Sequence, residues 1–234
     1  MHPPFELSTA ATDRIVLRRG RLHGFETVDA TRTALVVVDM QNVFCAPGAP
    51  VEVPTSREIV PHINRLARAT RDSGGLVVWV QMTMKRREEW ALVLDNMLSK
   101  ETGDRVLAEI KPGSTGHTLW PQMQPSPEDI YIFKNRFSAF LPSSSDIAEQ
   151  LRRRGIDTVI ITGTLTNVCC ESSGRDAAMM DFKTIMVSDA NAALTDEAHL
   201  MTLTTFIQTF GDVRSTDEMI GMLHAGRSRQ AMRA

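Results

Sequence analysis

Ala34-Leu35-Val36-Val37-Val38-Asp39 is the stretch on which the fold turns. Its apolar residues follow one another without alternation, which suits a strand buried on both faces of a parallel sheet, and the run ends on an acid. Outward from it the pattern recurs. Leu76-Val77-Val78-Trp79-Val80 reads as a second strand and Asp129-Ile130-Tyr131-Ile132-Phe133 as a third, with Lys134 directly after it. Thr158-Val159-Ile160-Ile161 and Thr184-Ile185-Met186-Val187 give a fourth and a fifth, and Asp212-Val213 begins a sixth.

Helical patterns fill the gaps. Thr55-x-x-Glu58 reads as a capping box for a helix through Ile59, Ile63 and Leu66, closed by Gly74-Gly75, with Pro61 either kinking it or marking its true start. Ser144 or Ser145 supplies the cap of a helix through Ile147 and Leu151 to Gly155, and further helical patterns cover 171–180 and 196–210. Strands alternating with helices predict an α/β fold, a three-layer αβα arrangement around a six-stranded, mostly parallel sheet. No repeat or linker divides the chain, so a single domain over 33–225 is expected. An irregular arm (1–32) precedes it and a tail (226–234) follows. Residues 85–124 have few strand signals, scattered aromatics (Trp90, Trp120) and Gly113-Ser114-Thr115-Gly116 in their middle, and are expected to form a helical insertion or lid.

Composition narrows the function classes. With 234 residues, 42% apolar and 23% charged, the chain is neither disordered nor fibrous. A net charge of −2 without long runs of one sign gives no electrostatic basis for binding nucleic acid or an anionic membrane. Met1-His2-Pro3-Pro4-Phe5 lacks the basic start and apolar stretch of a signal peptide, and no apolar run approaches the ~20 residues of a membrane span. The expected compartment is the cytoplasm. The cysteines are Cys45, Cys169 and Cys170, an odd number with two adjacent, which argues for reduced thiols rather than a disulfide framework.

In doubly wound sheets ligands sit beyond the carboxyl ends of the strands. Asp39 ends the first strand, Lys134 ends the third, and Cys169 follows the fourth after the turn Thr162-Gly163-Thr164-Leu165-Thr166-Asn167-Val168. Singly, an Asp caps turns, a Lys is solvated and a Cys fills core. Their joint placement brings three distant positions to one cleft. A helix start and the Lys134 ammonium both favour a Cys169 thiolate, and Asp39 could take the thiol proton and return it to a leaving nitrogen, so the set suits attack on an amide through a thioester. Backbone N–H groups of the turn suit the oxyanion.

Three runs carry a resemblance. Gly163-Thr164-Leu165-Thr166-Asn167-Val168-Cys169-Cys170-Glu171-Ser172-Ser173-Gly174-Arg175-Asp176-Ala177 closely resembles the nucleophile motif of the isochorismatase-like cysteine hydrolases. Val36-Val37-Val38-Asp39-Met40-Gln41-Asn42 resembles that family's Asp motif, and Lys134-Asn135-Arg136-Phe137-Ser138-Ala139-Phe140 its Lys motif. The resemblance covers roughly residues 33–225. It implies a strand order of 3-2-1-4-5-6, Cys169 rather than Cys170 as nucleophile, a cis peptide at Thr164-Leu165, and an oxyanion hole from the N–H groups of Leu165 and Cys169. It also implies a small-molecule substrate and a homodimer or homotetramer. Ureidoacrylate amidohydrolases and N-carbamoylsarcosine amidohydrolases are the branch it resembles most, which suggests a carboxamide, ureido or carbamoyl substrate. Cys170 departs from the Val often found there, and Gly174 from the Ala or Leu. Where nicotinamidases of the family carry an Asp-x-His metal site, this chain reads Gln81-Met82-Thr83-Met84, so neither metal nor other cofactor is expected.

Phe44, Gln41, Asn42, Trp90, Arg136 and Phe140 are candidate substrate-binding residues, Arg136 as a bidentate partner for a carboxylate or else a surface ion-pair partner. Neither His117 nor His199 follows a strand end, which disfavours a Cys/His pair. A reading of a different class, a ligand-binding or thiol redox-sensing module using the vicinal cysteines, stays open at this level, as does a merely core-packed cysteine.

Overall fold

Thr33–Val38 (β1), Leu76–Met82 (β2), Ile130–Lys134 (β3), Thr158–Thr164 (β4), Lys183–Ala192 (β5) and Asp212–Arg214 (β6) form one sheet in the order β3-β2-β1-β4-β5-β6. All of its pairings are parallel in the computed structural model, which describes residues 1–231. β1 is buried along its whole length because the sheet is covered on both sides. Alternation then sorts its side chains between two cores: Leu35 and Val37 join Val77, Trp79, Ile160 and Ile185, whereas Ala34, Val36 and Val38 join Val78, Val80, Val159 and Ile161. Each of the larger side chains contributes ~1.5–3 kcal/mol by burial.

The helices are Thr9–Arg19 (α1), Asn42–Cys45 (α2), Val60–Asp72 (α3), Lys100–Glu109 (α4), Ile147–Arg153 (α5), Glu171–Met179 (α6), Asp196–Thr209 (α7) and Thr216–Ala231 (α8). α3 and α8 cover the first core through Ile63, Leu66, Met219 and Leu223. α5, α6 and α7 cover the second through Leu151, Ala177, Leu203 and Phe206. Among the described residues no helix is long and apolar enough to cross a membrane.

Several local expectations are corrected. The supposed irregular arm contains α1, whose start is held by Ser8 (Oγ accepting from the Ala11 amide at 3.2 Å) and which ends at Gly20 in the left-handed region, φ 76°. Its one buried residue, Ile15, leaves almost no periodicity to read. Thr55 does not cap α3. Its hydroxyl donates to the Ala193 carbonyl at 2.7 Å, Pro54–Arg57 forms a separate 3-10 turn, and the helix starts at Val60 with Pro61 in its first turn. Of the two candidate serines before α5, Ser145 accepts from the Ile147 amide (3.3 Å), while Ser144 accepts from the Arg136 amide (3.2 Å). β5 runs on past Val187 because a register shift opposite β4 lets Asn191 and Ala192 pair with Gly163 and Thr164. The supposed tail belongs to α8 as far as Ala231, with Gly226 close against the Val28 carbonyl, and its last residues, 232–234, lie outside the described residues.

The insertion 85–124 holds a 3-10 turn (Arg87–Trp90), a π turn (Val93–Met97) and α4. It is fastened to the sheet ends through the His117 carbonyl, which accepts from Gln41 Nε2 at 2.9 Å and from Gln81 Nε2 at 2.6 Å. A bridge between Gln41 and Leu119 adds to this tie.

Candidate active site

β1 and β4 lie side by side at the point where strand order reverses, and their carboxyl ends carry two of the candidate groups. Asp39 leaves β1 with φ 54°, a left-handed conformation that Asp tolerates better than most residues and that turns the chain sharply at the strand end. Its amide is held by the Val80 carbonyl at 2.9 Å. Opposite, Gly163 has φ 116°, and a Cβ there would stand 2.1 Å from the Val38 carbonyl oxygen, so only glycine lets the two strand ends approach. The Thr164-Leu165 peptide that follows is cis. A π turn, Thr166–Cys170, then presents Cys169 immediately before α6.

Lys134, the last residue of β3, reaches both of the others. Its Nζ lies 2.8 Å from Asp39 Oδ2 and 3.5 Å from Cys169 Sγ, and donates to the Arg136 carbonyl at 3.0 Å. All three side chains are buried. The segment after β3 is fixed against α6, since Ser173 Oγ accepts from the Ala139 amide at 3.0 Å.

The charges explain one another. Burial works against the Lys134 ammonium, but the Asp39 carboxylate and Cys169 outweigh it and raise its pKa, so the lysine stays charged. Burial pushes the Cys169 thiol up, Lys134 pulls it down and Asp39 pushes it up again, which leaves a neutral thiol at rest. Transfer of the thiol proton to Asp39 would therefore exchange carboxylate plus thiol for carboxylic acid plus thiolate beside the same ammonium, with no change in net charge. That avoids the cost of creating a new buried charge.

Cys170 differs. Its sulfur points to the Thr162 carbonyl at 3.8 Å, and burial, then Cys169 and Asp39, drive its thiol well above the ordinary range. It has the surroundings of an inert packing residue. Gly174 is required for packing, because a Cβ would sit 2.8 Å from the Phe206 ring.

The candidate binding residues divide. Gln41 is wholly buried and its amide is used as a clasp: Nε2 donates to the carbonyls of Met82 (3.1 Å) and His117, and Oε1 accepts from the Met82 amide (2.7 Å). Phe140 packs edge-on against Phe182, 5.6 Å between centroids, within the core that also holds Cys169. These two are scaffold rather than free lining. Asn42 donates to Thr115 O and Thr118 Oγ1 of the insertion, at 3.0 and 2.8 Å. Phe44 is buried in the other core. Trp90 and Arg136 meet: the guanidinium stands 5.2 Å above the indole, whose edge contacts Phe137 at 4.6 Å.

Two histidines occupy places that their sequence positions did not suggest. His117 folds back from the insertion so that its Nε2 lies 2.7 Å from Thr83 Oγ1, beside the Gln81–Met84 stretch, and burial lowers its pKa. His199 on α7 places Nδ1 2.8 Å from Thr166 Oγ1, at the start of the turn that carries Cys169. Burial, aided by His2, lowers its pKa to about 4, so it is neutral at physiological pH. Among the described residues no group of His, Cys, Asp and Glu is arranged to hold a metal ion.

Comparison with known proteins places the chain in a family. The family model for the isochorismatase domain matches residues 33–218. A cysteine hydrolase from Pseudomonas syringae pv. phaseolicola is 28% identical, with a TM-score of 0.78 over 86% of this chain and 97% of its own. An isochorismatase-like hydrolase from Alkaliphilus metalliredigens is 27% identical, TM-score 0.68, over 83% and 97%. The N-carbamoylsarcosine amidase of Thermoplasma acidophilum is 25% identical, TM-score 0.65, over 80% and 97%. The chain belongs to the isochorismatase domain family, as one of its cysteine-bearing hydrolases.

Proposed function

We propose that the chain hydrolyses a C–N bond in a small carboxamide, ureido or carbamoyl compound, with Cys169 as nucleophile, Asp39 as general base and then acid, and Lys134 as the fixed cation. The observation that carries this reading is the single buried ammonium within 2.8 Å of Asp39 and 3.5 Å of Cys169. Asp39 takes the thiol proton as sulfur attacks the carbonyl carbon. The tetrahedral oxyanion is held by the N–H groups of Leu165 and Cys169. In support, the Leu165 carbonyl takes its hydrogen bonds from Val168 and Cys170, the residues on either side of the nucleophile. Protonated Asp39 then delivers its proton to the leaving nitrogen, the C–N bond breaks and a thioester remains. Asp39 next deprotonates the attacking water, and collapse of the second intermediate releases the acid and regenerates the thiol. Ammonia or carbamate leaves.

The amidase name carried by the Thermoplasma relative supports the carbamoyl class. Arg136 supports an acidic substrate: it is half-buried on Trp90, and among the described residues its guanidinium donates to Asn135 O and Oδ1, at 2.8 and 3.2 Å, and meets no carboxylate. Its charge remains available to a carboxylate. A ureidoacrylate-like compound has both features. Self-association as a dimer or tetramer is consistent with the edge strand β3, which leaves Tyr131 and Phe133 42% and 53% exposed. Light scattering in solution decides that point.

The direct test is ammonia release over carboxamides, ureides, N-carbamoyl acids and nicotinamide by wild type, Cys169→Ser and Cys170→Ser. Release from an N-carbamoyl or ureido acid, lost in Cys169→Ser and kept in Cys170→Ser, is the expected result. No release from any of these compounds overturns the reading.

A further inference from the structure

We propose that His2 is a positioning residue for the nucleophile, acting through His199 and Thr166 on the turn that carries Cys169. The inference rests on the reading of Cys169 as the reactive thiol. His2 lies in segment 1–7, which has no regular secondary structure, and reaches the Ala193 amide just past the end of β5. Together with Ser188, Asp189 and Arg214, residues His2, Pro3, Pro4, Phe5 and Leu7 of this segment line a cavity of about 730 Å³. Phe5 and Leu7 pack against the second core, whereas Pro3 and Pro4 are exposed. The His2 side chain, by contrast, is only 5% exposed.

Three contacts fix it. Nε2 accepts from the Ala193 amide at 2.9 Å, which assigns the proton of the neutral ring to Nδ1, and Nδ1 donates to Asp196 Oδ1 at 2.6 Å. The ring lies flat on His199, centroids 4.2 Å apart and planes 15° from parallel. His2 thereby clamps the end of β5 to the first turn of α7. His199, one turn further along α7 and fully buried, meets Thr166 Oγ1 at 2.8 Å. Thr166 is the first residue of the π turn and Cys169 the fourth, so the stack supports the start of the turn while Lys134 approaches the sulfur further along it.

Nothing in this relay touches the reacting atoms, so its effect is on where the sulfur sits. A nucleophile displaced by ~1 Å can lose on the order of a hundredfold in rate. Loss of one outer support is expected to cost less.

The test compares His2→Ala and His2→Phe with wild type in kcat and KM on the best amide of the panel above, in the rate of Cys169 alkylation by iodoacetamide mapped by peptide mass, and in thermal unfolding. His2→Ala should lower kcat and the alkylation rate together by roughly fivefold or more while KM changes less than about twofold. His2→Phe, which keeps the ring stack and loses the hydrogen bonds, should recover part of both. Wild-type kcat and alkylation rate in His2→Ala overturn the proposal, whether or not thermal stability falls. If wild type hydrolyses no amide, the hydrolase reading fails by itself and the alkylation rates still decide the role of His2.

Discussion

β3 carries a buried ion pair at each end, and the two are finished differently. At its amino end Asp129 receives Arg71 Nε and Nη2 at 2.9 and 2.6 Å, Trp79 Nε1 at 2.7 Å and the Ser126 amide at 2.8 Å. At its carboxyl end Lys134 meets Asp39 at 2.8 Å, yet neither Asp39 oxygen has an aligned hydrogen bond among the described residues, and a thiol stands beside the pair. A carboxylate held by four donated hydrogen bonds is committed to holding structure. One held mainly by charge keeps lone pairs for a proton in transit.

The largest expected effect breaks the comparison at its reactive end. Asp39→Asn should lower kcat by roughly a thousandfold or more while the fold is retained, whereas Asp129→Asn should leave kcat within about twofold of wild type. Steady-state kinetics with circular dichroism on both variants checks this, and comparable rate losses in the two would contradict it. Asp129→Asn leaves the half-buried Arg71 short of its partner and is expected to cost about 1–3 kcal/mol in urea unfolding.

A second thiol one residue along lacks direct contact with the ion pair. Cys170 faces a carbonyl rather than Lys134, so Cys170→Ala should keep most activity and cost on the order of 1 kcal/mol of stability for the lost sulfur packing. An equal rate loss in Cys169→Ala and Cys170→Ala would mean that the turn, not the charge arrangement, decides reactivity.

The smallest effect is on pH dependence. Burial raises the pKa of Asp129, but Arg71, Trp79 and the Ser126 amide more than offset this and hold it below its ordinary 3.8. A depressed carboxylate contributes stability that is complete above its unfolded value and is lost as pH falls through the folded one. The gap in unfolding free energy between wild type and Asp129→Asn should accordingly shrink from about pH 5 downward, and a gap that widens on acidification would reverse the sign argued here.

How legible each region was follows from what holds it. β1 and β4 read directly because burial on both faces removes alternation, and Asp39 and Cys169 then follow from strand ends and turn chemistry. Lys134 could be placed because β3 still shows its apolar run, despite the exposed Tyr131 and Phe133. The insertion resisted reading since backbone carbonyls clasped by Gln41 and Gln81 hold it, and such ties leave no periodic trace. The same holds for His2, His199 and Thr166, which meet only in three dimensions from positions 1–7, α7 and the nucleophile turn. Gly163 stood inside the quoted motif, yet its close approach to Val38 needs the strand pairing to be known. Gly174 departs from the Ala or Leu of the resembled motif because Phe206 fills the space a side chain would need.

The proposed hydrolysis requires a covalent intermediate on one of two adjacent sulfurs. Wild type quenched in acid during turnover of the amide it hydrolyses, and analysed by intact and fragment mass, tests it most directly. The prediction is an added mass equal to the substrate's acyl group, located on Cys169 and absent from Asp39→Asn. Steady turnover with both sulfurs unmodified, or with the adduct on Cys170, would contradict it.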